Sequence, residues 1–199
     1  MSRYTGPVYK VARRLNYSIT ETGKELQKRP FAPGQHGKRR AKLTEYAIQL
    51  REKQKVRFNY GLTEKQLRNT FDKASKQKGV VGENFLVLLE TRLDNLVYRA
   101  GFASSKKQAR QLVNHRHVLV DGKKLNIPSY TVKVGQTISL TEKASKFEIV
   151  KDSLESTLVV PNYLDFNKET NVATLTRLPN RDEFLTDIKE NLIVEFYSK

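Results

Sequence analysis

The chain has 199 residues, 38% hydrophobic and 29% charged, with 37 Lys and Arg against 21 Asp and Glu. That length allows one or two domains with modest cores, and a formal net charge of +16 calls for a polyanionic partner, because self-repulsion of this size works against a compact chain. The absence of cysteine excludes disulfides and thiolate metal sites and fits a cytosolic address; no apolar run reaches bilayer length, and Met1-Ser2-Arg3-Tyr4 does not read as a signal peptide.

The charge is unevenly spread. Residues 1–60 hold fifteen Lys and Arg against four Asp and Glu, residues 61–90 five against four, residues 91–150 eleven against four, and residues 151–199 six against nine. Two basic regions flanking a balanced segment predict two separate binding surfaces, with nucleic acid the leading partner and an anionic membrane the second. Neither a membrane span nor an obligate homo-oligomer is expected.

Residues 1–42 are basic and rich in turns, with Gly6-Pro7, Pro30, Pro33-Gly34 and Gly37. Little hydrophobic period runs through them, so the sequence predicts a segment that orders on a partner. A helix is expected from Leu43, with Leu43, Tyr46, Ala47 and Leu50 on its inner face, Arg51, Lys53, Lys55 and Arg57 over the rest, and Gly61 closing it. Thr63 and Gln66 announce the next helix as a capping box, Leu62 and Leu67 as a hydrophobic staple; Leu67, Phe71 and Ala74 form its buried face and Gly79 ends it. The run ENFLVLLETRLDNLVYRAGF reads as one long helix with a wide apolar stripe. Ser105 and Gln108 predict a second capping box before Ala109, Leu112 and Val113. From Val118 the pattern turns to strand, with an Asp-Gly turn in VLVDGKKLNI and alternation in YTVKVGQTISL. Beyond it, NYLDFNKETNVATLTRLP suggests a hairpin and RDEFLTDIKENLIVEFYSK a helix ending in a short strand. The fold class is α+β.

The stretch FAPGQHGKRRAK, Phe31 to Lys42, has the look of a phosphate cradle. However, Ala32 stands where a nucleotide-binding loop needs its first glycine, Arg39 where it needs a hydroxyl, and Pro33 removes a backbone N–H. An NTPase site is therefore excluded. The three histidines, His36, His115 and His117, have no cysteine or paired carboxylate to complete a coordination set. No metal and no cofactor are expected; these histidines stack on RNA, donate to it, or are simply exposed.

Cations and tyrosines supply the binding candidates. Arg3, Arg13, Arg14, Lys38, Arg39, Arg40 and Lys42, with Gln35 and His36, are continuous in sequence with Arg51, Lys53, Lys55, Arg57 and Tyr60. Guanidinium groups hold phosphate in a planar fork and stack on bases, and tyrosine rings stack on unpaired bases, although Tyr46 is expected in the core. The second surface comprises Ser104, Ser105, Lys106, Lys107, Arg110, Gln111, Asn114 and His115 on and around one helix, with Lys123 and Lys124 in the hairpin. A helix start offers free N–H groups to a phosphate, and this set has few groups suited to reading base edges. It predicts recognition of RNA shape and backbone.

Arg92-Leu93-Asp94 matches the signature of pseudouridine synthases, in which the aspartate is the nucleophile. Here Asn95-Leu96-Val97-Tyr98 continues an amphipathic helix instead of a polar loop, so Asp94 reads as a structural partner of an arginine or a backbone N–H. No catalytic constellation gathers elsewhere, and no enzyme is expected.

The segment from Arg92 to Ile138 resembles the small RNA-binding module named after small-subunit ribosomal protein S-four. The likeness is carried by Arg-Leu-Asp, Gly101-Phe102, Ser105 followed by Ala-Arg-Gln-Leu-Val, Val-Asp-Gly, Ile-Pro-Ser and the Val132 to Gly135 spacing. The module occurs also in pseudouridine synthases, tyrosyl-tRNA synthetases and a heat-shock protein. RYTGP, APGQHG, YAIQLREKQKVRFNYG, GENFLVLLETRLDN and NLIVEFYSK extend the likeness to the S-four family along nearly the whole chain.

The resemblance implies a largely helical first domain (43–91 with 150–199) behind a basic extension (1–42), and an inserted α+β module (92–149) of two helices and a short, twisted antiparallel sheet. It implies a cytoplasmic, structural constituent of the small ribosomal subunit that is a primary binder of the 5′ domain of its rRNA and nucleates assembly. It places the chain at the entrance of the mRNA channel near ribosomal proteins S-five and S-three, with Arg39, Arg40 and Lys42 toward mRNA and an influence on translational accuracy. Some bacterial members repress their own mRNA. Zinc-bearing members hold the extension with four cysteines; this chain resembles the zinc-free form, so residues 18–30 must be ordered by packing and RNA. The alternatives are an RNA-modifying enzyme using Asp94 and a free RNA-binding repressor.

Overall fold

The computed structural model describes residues 4–39, 42–156, 159–167 and 169–198. In chain order the helices are α1 (Val8–Leu15), α2 (Lys24–Gln27), α3 (Glu45–Asn59), α4 (Glu64–Ala74), α5 (Val81–Glu90), α6 (Leu93–Arg99), α7 (Lys106–Asn114), α8 (Glu142–Ser145), α9 (Glu148–Ser156) and α10 (Glu190–Ser198). The strands are β1 (Val118–Val120), β2 (Lys123–Lys124), β3 (Thr137–Leu140), β4 (Leu164–Asn167) and β5 (Val172–Leu175). They form one antiparallel sheet in the order β2-β1-β3-β5-β4. The chain divides into two compact units, Met1–Phe85 with Asp187–Lys199, and Leu86–Thr186 between them. The fold is α+β.

The first unit is helical. Thr44 caps α3 by accepting from the Ala47 N–H, and α4 opens with the full reciprocal capping box of Thr63 and Gln66. Leu62, Leu67 and Phe85 are fully buried, and Phe71 packs edge-on against Phe85 with ring centroids 5.6 Å apart. Each such side chain contributes roughly 1.5–3 kcal/mol by leaving water. The chain returns as α10 to lie along α3: Gln49 Nε2 donates to Glu195 Oε2 at 2.9 Å and the Tyr197 hydroxyl to Glu64 Oε1 at 3.1 Å.

In the second unit α6, α7 and one face of the sheet enclose a core of Leu93, Leu96, Val97, Phe102, Ala109, Val113, Val118, Ile138, Tyr163, Ala173 and Leu175. Tyr163 is the bulkiest of its fully buried side chains; its hydroxyl donates to Glu90 Oε1 at 2.8 Å, and Arg99 Nε reaches the same oxygen at 2.7 Å. Burial, then the Glu90 charge, pushes the Tyr163 hydroxyl far above its ordinary value, so the ring stays neutral and a donor.

Several sequence expectations are corrected. The predicted long helix is broken at Thr91-Arg92, because Arg92 is extended (ψ 142°) and bridges Thr131. The orphan N–H groups of Leu93 and Asp94 that open α6 are satisfied by the carbonyls of Tyr130 (2.8 Å) and Pro128 (3.2 Å), a non-local pairing that helical periodicity does not contain. Of the alternation expected in YTVKVGQTISL, the part before Gly135 is no strand: Thr131 makes that isolated bridge, and only Thr137–Leu140 pairs, as β3. Leu43 and Tyr46 were expected inside; Tyr46 is 57% exposed, and α3 instead buries Gln49, Glu52, Lys53, Val56 and Asn59. The C-terminal run LIVEFY is helical in α10 rather than a strand, with Ile193 buried. Within residues 1–42, α1 and α2 are formed. Residues 150–186, grouped above with the helical domain, lie in the second unit, where β5 pairs with β3.

Candidate nucleic-acid interface

On the first unit the Phe31–Arg39 loop is built around a tight turn. A Cβ on Gly37 would lie 1.8 Å from the Ala32 carbonyl oxygen, so only glycine fits, and the Gly37 N–H donates to the Gly34 carbonyl at 3.2 Å. The half-buried Phe31 ring sits between two cations, with the Arg13 guanidinium and the Lys38 ammonium each 5.3 Å from its centroid. Arg13 Nε also donates to the Phe31 carbonyl at 3.0 Å. The loop thus sets the exposed Lys38 and the half-buried Arg13 of α1 against one ring, beside exposed Arg14, Gln35, His36 and Arg39. Lys42 is exposed as well; Arg3 and Arg40 lie outside the described residues.

The predicted cationic face of α3 does not form as a continuous surface. Lys53 is only 5% exposed; its ammonium donates to Glu64 Oε1 at 2.6 Å and lies 4.4 Å from the Phe196 ring centroid. Lys55 bonds Glu52 at 2.6 Å, and Arg57 donates to the Leu62 carbonyl and to Gln54. Tyr60 is buried. Arg51 remains half-buried. These cations hold α3, α4 and α10 together, so the first-unit surface contracts to the loop, α1 and Arg51.

Residues 18–25 are closed by a polar knot. The buried Glu25 carboxylate accepts from the Thr20 N–H (2.9 Å), the Thr20 hydroxyl (2.8 Å) and the Ser18 hydroxyl (3.1 Å), while the Gly23 N–H donates to Ser18 Oγ at 3.1 Å. Burial alone would raise its pKa, but these donors outweigh it and hold Glu25 below the ordinary carboxylate value. Carboxylate and hydroxyl groups thereby order the extension in a chain without cysteine.

On the second unit, α7 presents its N-terminal turn. Ser105 accepts from the Gln108 N–H at 3.3 Å, whereas the Gln108 side chain turns back to the N–H and hydroxyl of Ser104 rather than to Ser105. The predicted capping box is therefore shared between two serines. Lys107 and Gln111 are exposed, Lys106 lies 5.5 Å from the Tyr98 ring centroid, Asn114 is half-buried, and His115 is exposed at the far end. Across the β1–β2 turn, Asp121 (φ +49°) and Gly122 (φ +76°) take the left-handed pair that a tight hairpin requires. Asp121 accepts from Gln136 (2.7 Å) and the Thr137 N–H (2.9 Å), which fixes the turn. Lys123 and Lys124, which follow it, are exposed.

Arg110 does not join this surface. It is 5% exposed, and its guanidinium reaches Asp94 Oδ2 at 3.3 Å, while Arg92 grips both carboxylate oxygens at 3.0 and 2.8 Å. Asp94 is thus locked between two buried arginines, with neither the access nor the freedom that a nucleophile needs. Among the described residues no group of three or more His, Asp or Glu could hold a metal ion, and no helix is long and apolar enough to cross a membrane. Sequence reasoning missed Phe31 as the plate under two cations and Arg116, exposed between the histidines at φ +61°. An aromatic before Ala-Pro-Gly was a readable signal for the first; nothing in the sequence marked the backbone of the second.

Residues 3–90 match the family described as the ribosomal protein S4/S9 N-terminal domain, and residues 91–138 match the S4 domain. Among curated relatives, the chain is similar to the small ribosomal subunit protein uS4 of Phytoplasma australiense, at 60% identity over 199 residues. It is 59% identical to that of Acholeplasma laidlawii and 57% identical to that of Geobacillus kaustophilus, and each alignment covers the whole of both chains.

Proposed function

The chain belongs to the uS4 family of small ribosomal subunit proteins, and on that premise we propose that it is a non-catalytic, structural component of the particle that binds small-subunit rRNA through two basic surfaces, one on each unit. The observation that carries the reading is the α7 surface: a helix N-terminus capped by serine, with exposed Lys107 on its first turn and Lys123 and Lys124 on the hairpin. Such a surface offers N–H dipoles and cations to phosphates and few groups to base edges. The buried state of Asp94 supports the structural over the enzymatic alternative.

The finer reading follows the family. The rRNA partner is the 5′ domain, which the chain binds early and so nucleates assembly. Arg39, Arg40 and Lys42 lie toward mRNA at the entrance of its channel, S-five and S-three are the protein neighbours, and the site is the cytoplasmic ribosome with an effect on accuracy. The Phe31 loop supports an RNA contact here, since it gathers Lys38, exposed, and Arg13 of α1 at one ring, with no carboxylate paired to either among the described residues.

Binding to isolated rRNA domains tests this. The chain should retain a 5′-domain transcript at salt concentrations where transcripts of the other domains dissociate, and should co-sediment with small subunits. Equal affinity for every domain, or a chain that stays at the top of the gradient, would instead favour the free repressor.

A further inference from the structure

Residues 16–31 leave α1 and return to it with little apolar packing to hold them. Ile19 is their one buried hydrophobic side chain, and α2 is a single turn. The backbone is left-handed at Asn16 (φ +50°) and at Glu21 (φ +62°), a conformation that side chains adopt at a cost. The start of the segment is anchored on α3: Asn59 Nδ2 donates to the Tyr17 hydroxyl at 3.2 Å, and Tyr4 stands edge-on to Phe58 with ring centroids 4.8 Å apart. Its end closes on α1 through the bond from Arg13 Nε to the Phe31 carbonyl.

Between those anchors the one buried polar side chain is Glu25, 3% exposed. Its carboxylate accepts from the Thr20 N–H and from the Thr20 and Ser18 hydroxyls, Ser18 in turn accepts from the Gly23 N–H, and the Thr22 hydroxyl lies 2.8 Å from that of Thr20. These donors meet only when residues 18–25 are closed, and a buried carboxylate left without them is strongly unfavourable. All of them are neutral. No Lys or Arg contributes to the carboxylate among the described residues, although Lys24, Lys28 and Arg29 are exposed on the same stretch. The knot therefore closes the segment without consuming a cation that a phosphate could use.

We propose that Glu25 is a positioning residue: its knot sets the Phe31–Arg39 loop against α1 in the free chain, so that the extension meets its partner preorganised instead of ordering upon it. A carboxylate and neutral donors thereby do, with no metal, what a coordinated ion could do for such a segment. Preorganisation raises affinity by removing the cost of ordering from the binding step. That effect on affinity rests on the rRNA-binding reading; the order of the free chain does not.

Glu25→Gln and Glu25→Ala separate positioning from charge. Both remove one negative charge, so electrostatics alone predicts tighter rRNA binding by both. The glutamine keeps an oxygen for the Thr20 N–H, whereas the alanine leaves the knot empty. Hydrogen exchange is followed by NMR on the full chain, without RNA and with a chelator present, and binding is measured to a small-subunit rRNA transcript. In the wild type the Thr20 and Gly23 amide hydrogens and the Arg13 Nε hydrogen should exchange about tenfold or more slowly than in an open chain. Glu25→Ala should release all three, including that of Arg13, which bonds no member of the knot, and should bind about three- to tenfold more weakly. Glu25→Gln should keep the exchange slow and bind at least as tightly as the wild type. Where Glu25→Ala lowers the melting temperature of the whole chain, Ser18→Ala is read in its place, with the same loosening and weakening expected. Fast exchange at these positions in the free wild type, or an alanine variant that binds as tightly as Glu25→Gln, overturns the inference. A wild-type chain that binds no transcript overturns the rRNA reading alone, and the exchange rates still decide the role of Glu25.

Discussion

Asp94 shows how an individual residue's role is decided by its partners. Its carboxylate carries two buried guanidiniums, Arg92 and Arg110, so Asp94→Ala would strand both. The expected cost is about 3–5 kcal/mol, typical of breaking a buried pair from one side, and a denaturant titration of the variant measures it; an unchanged midpoint would show that the pair is not holding α6 to α7. Charge reversal distinguishes neighbours that the sequence cannot. Arg110→Glu should unfold the second unit, whereas Lys107→Glu on the same helix should leave the melting temperature unchanged and weaken rRNA binding. The sequence supplied the positive charge at both positions, but only the tertiary pairing with Asp94 separates a strut from a contact.

Among the elements, the segment after β5 gives a pH-dependent prediction. Glu183 is held down to about 2, first by its bonds with Arg177 and then by the Asn180 N–H. The folded value lies below the ordinary 4.5, so the stabilisation is fully present above that pH and is lost as pH falls through about 2. Arg177→Gln should remove that acid-side loss between about pH 4.5 and 2 in a pH series of thermal melts; an unchanged series would show that the pair carries no linkage. Helix existence and the hairpin turn were legible because capping residues, Asp-Gly and apolar period act locally: Thr63 with Gln66, and Asp121-Gly122, are as expected. The break at Thr91-Arg92 was not, since carbonyls of Pro128 and Tyr130 create it from more than thirty residues away. The inner face of α3 was misread for a related reason. It is polar, and Gln49, Glu52 and Lys53 are buried against groups of α4 and α10 that hydrophobic period does not register.

At the scale of the molecule, a formal net charge of +16 persists after the internal ion pairs are drawn off, and both units leave cations exposed. Reversing Lys107, Lys123 and Lys124 together should therefore cost far more in rRNA affinity than in stability, because each is exposed; a fall in melting temperature without a fall in affinity would place them in the fold instead. The candidate site was legible as charge and family motif, and Arg14, Lys38, Arg39, Lys42, Lys107 and Lys123 are exposed. The two that are buried, Lys53 and Arg110, are paired with Glu64 and Asp94, and Lys55 and Arg57 are drawn into pairs with Glu52 and Glu64. The central claim is that backbone phosphates dominate recognition, and rRNA binding followed against salt tests it most directly. With about six to ten phosphates engaged, affinity should fall roughly a thousandfold or more between about 50 and about 200 mM salt, whereas a nearly flat response would contradict the account.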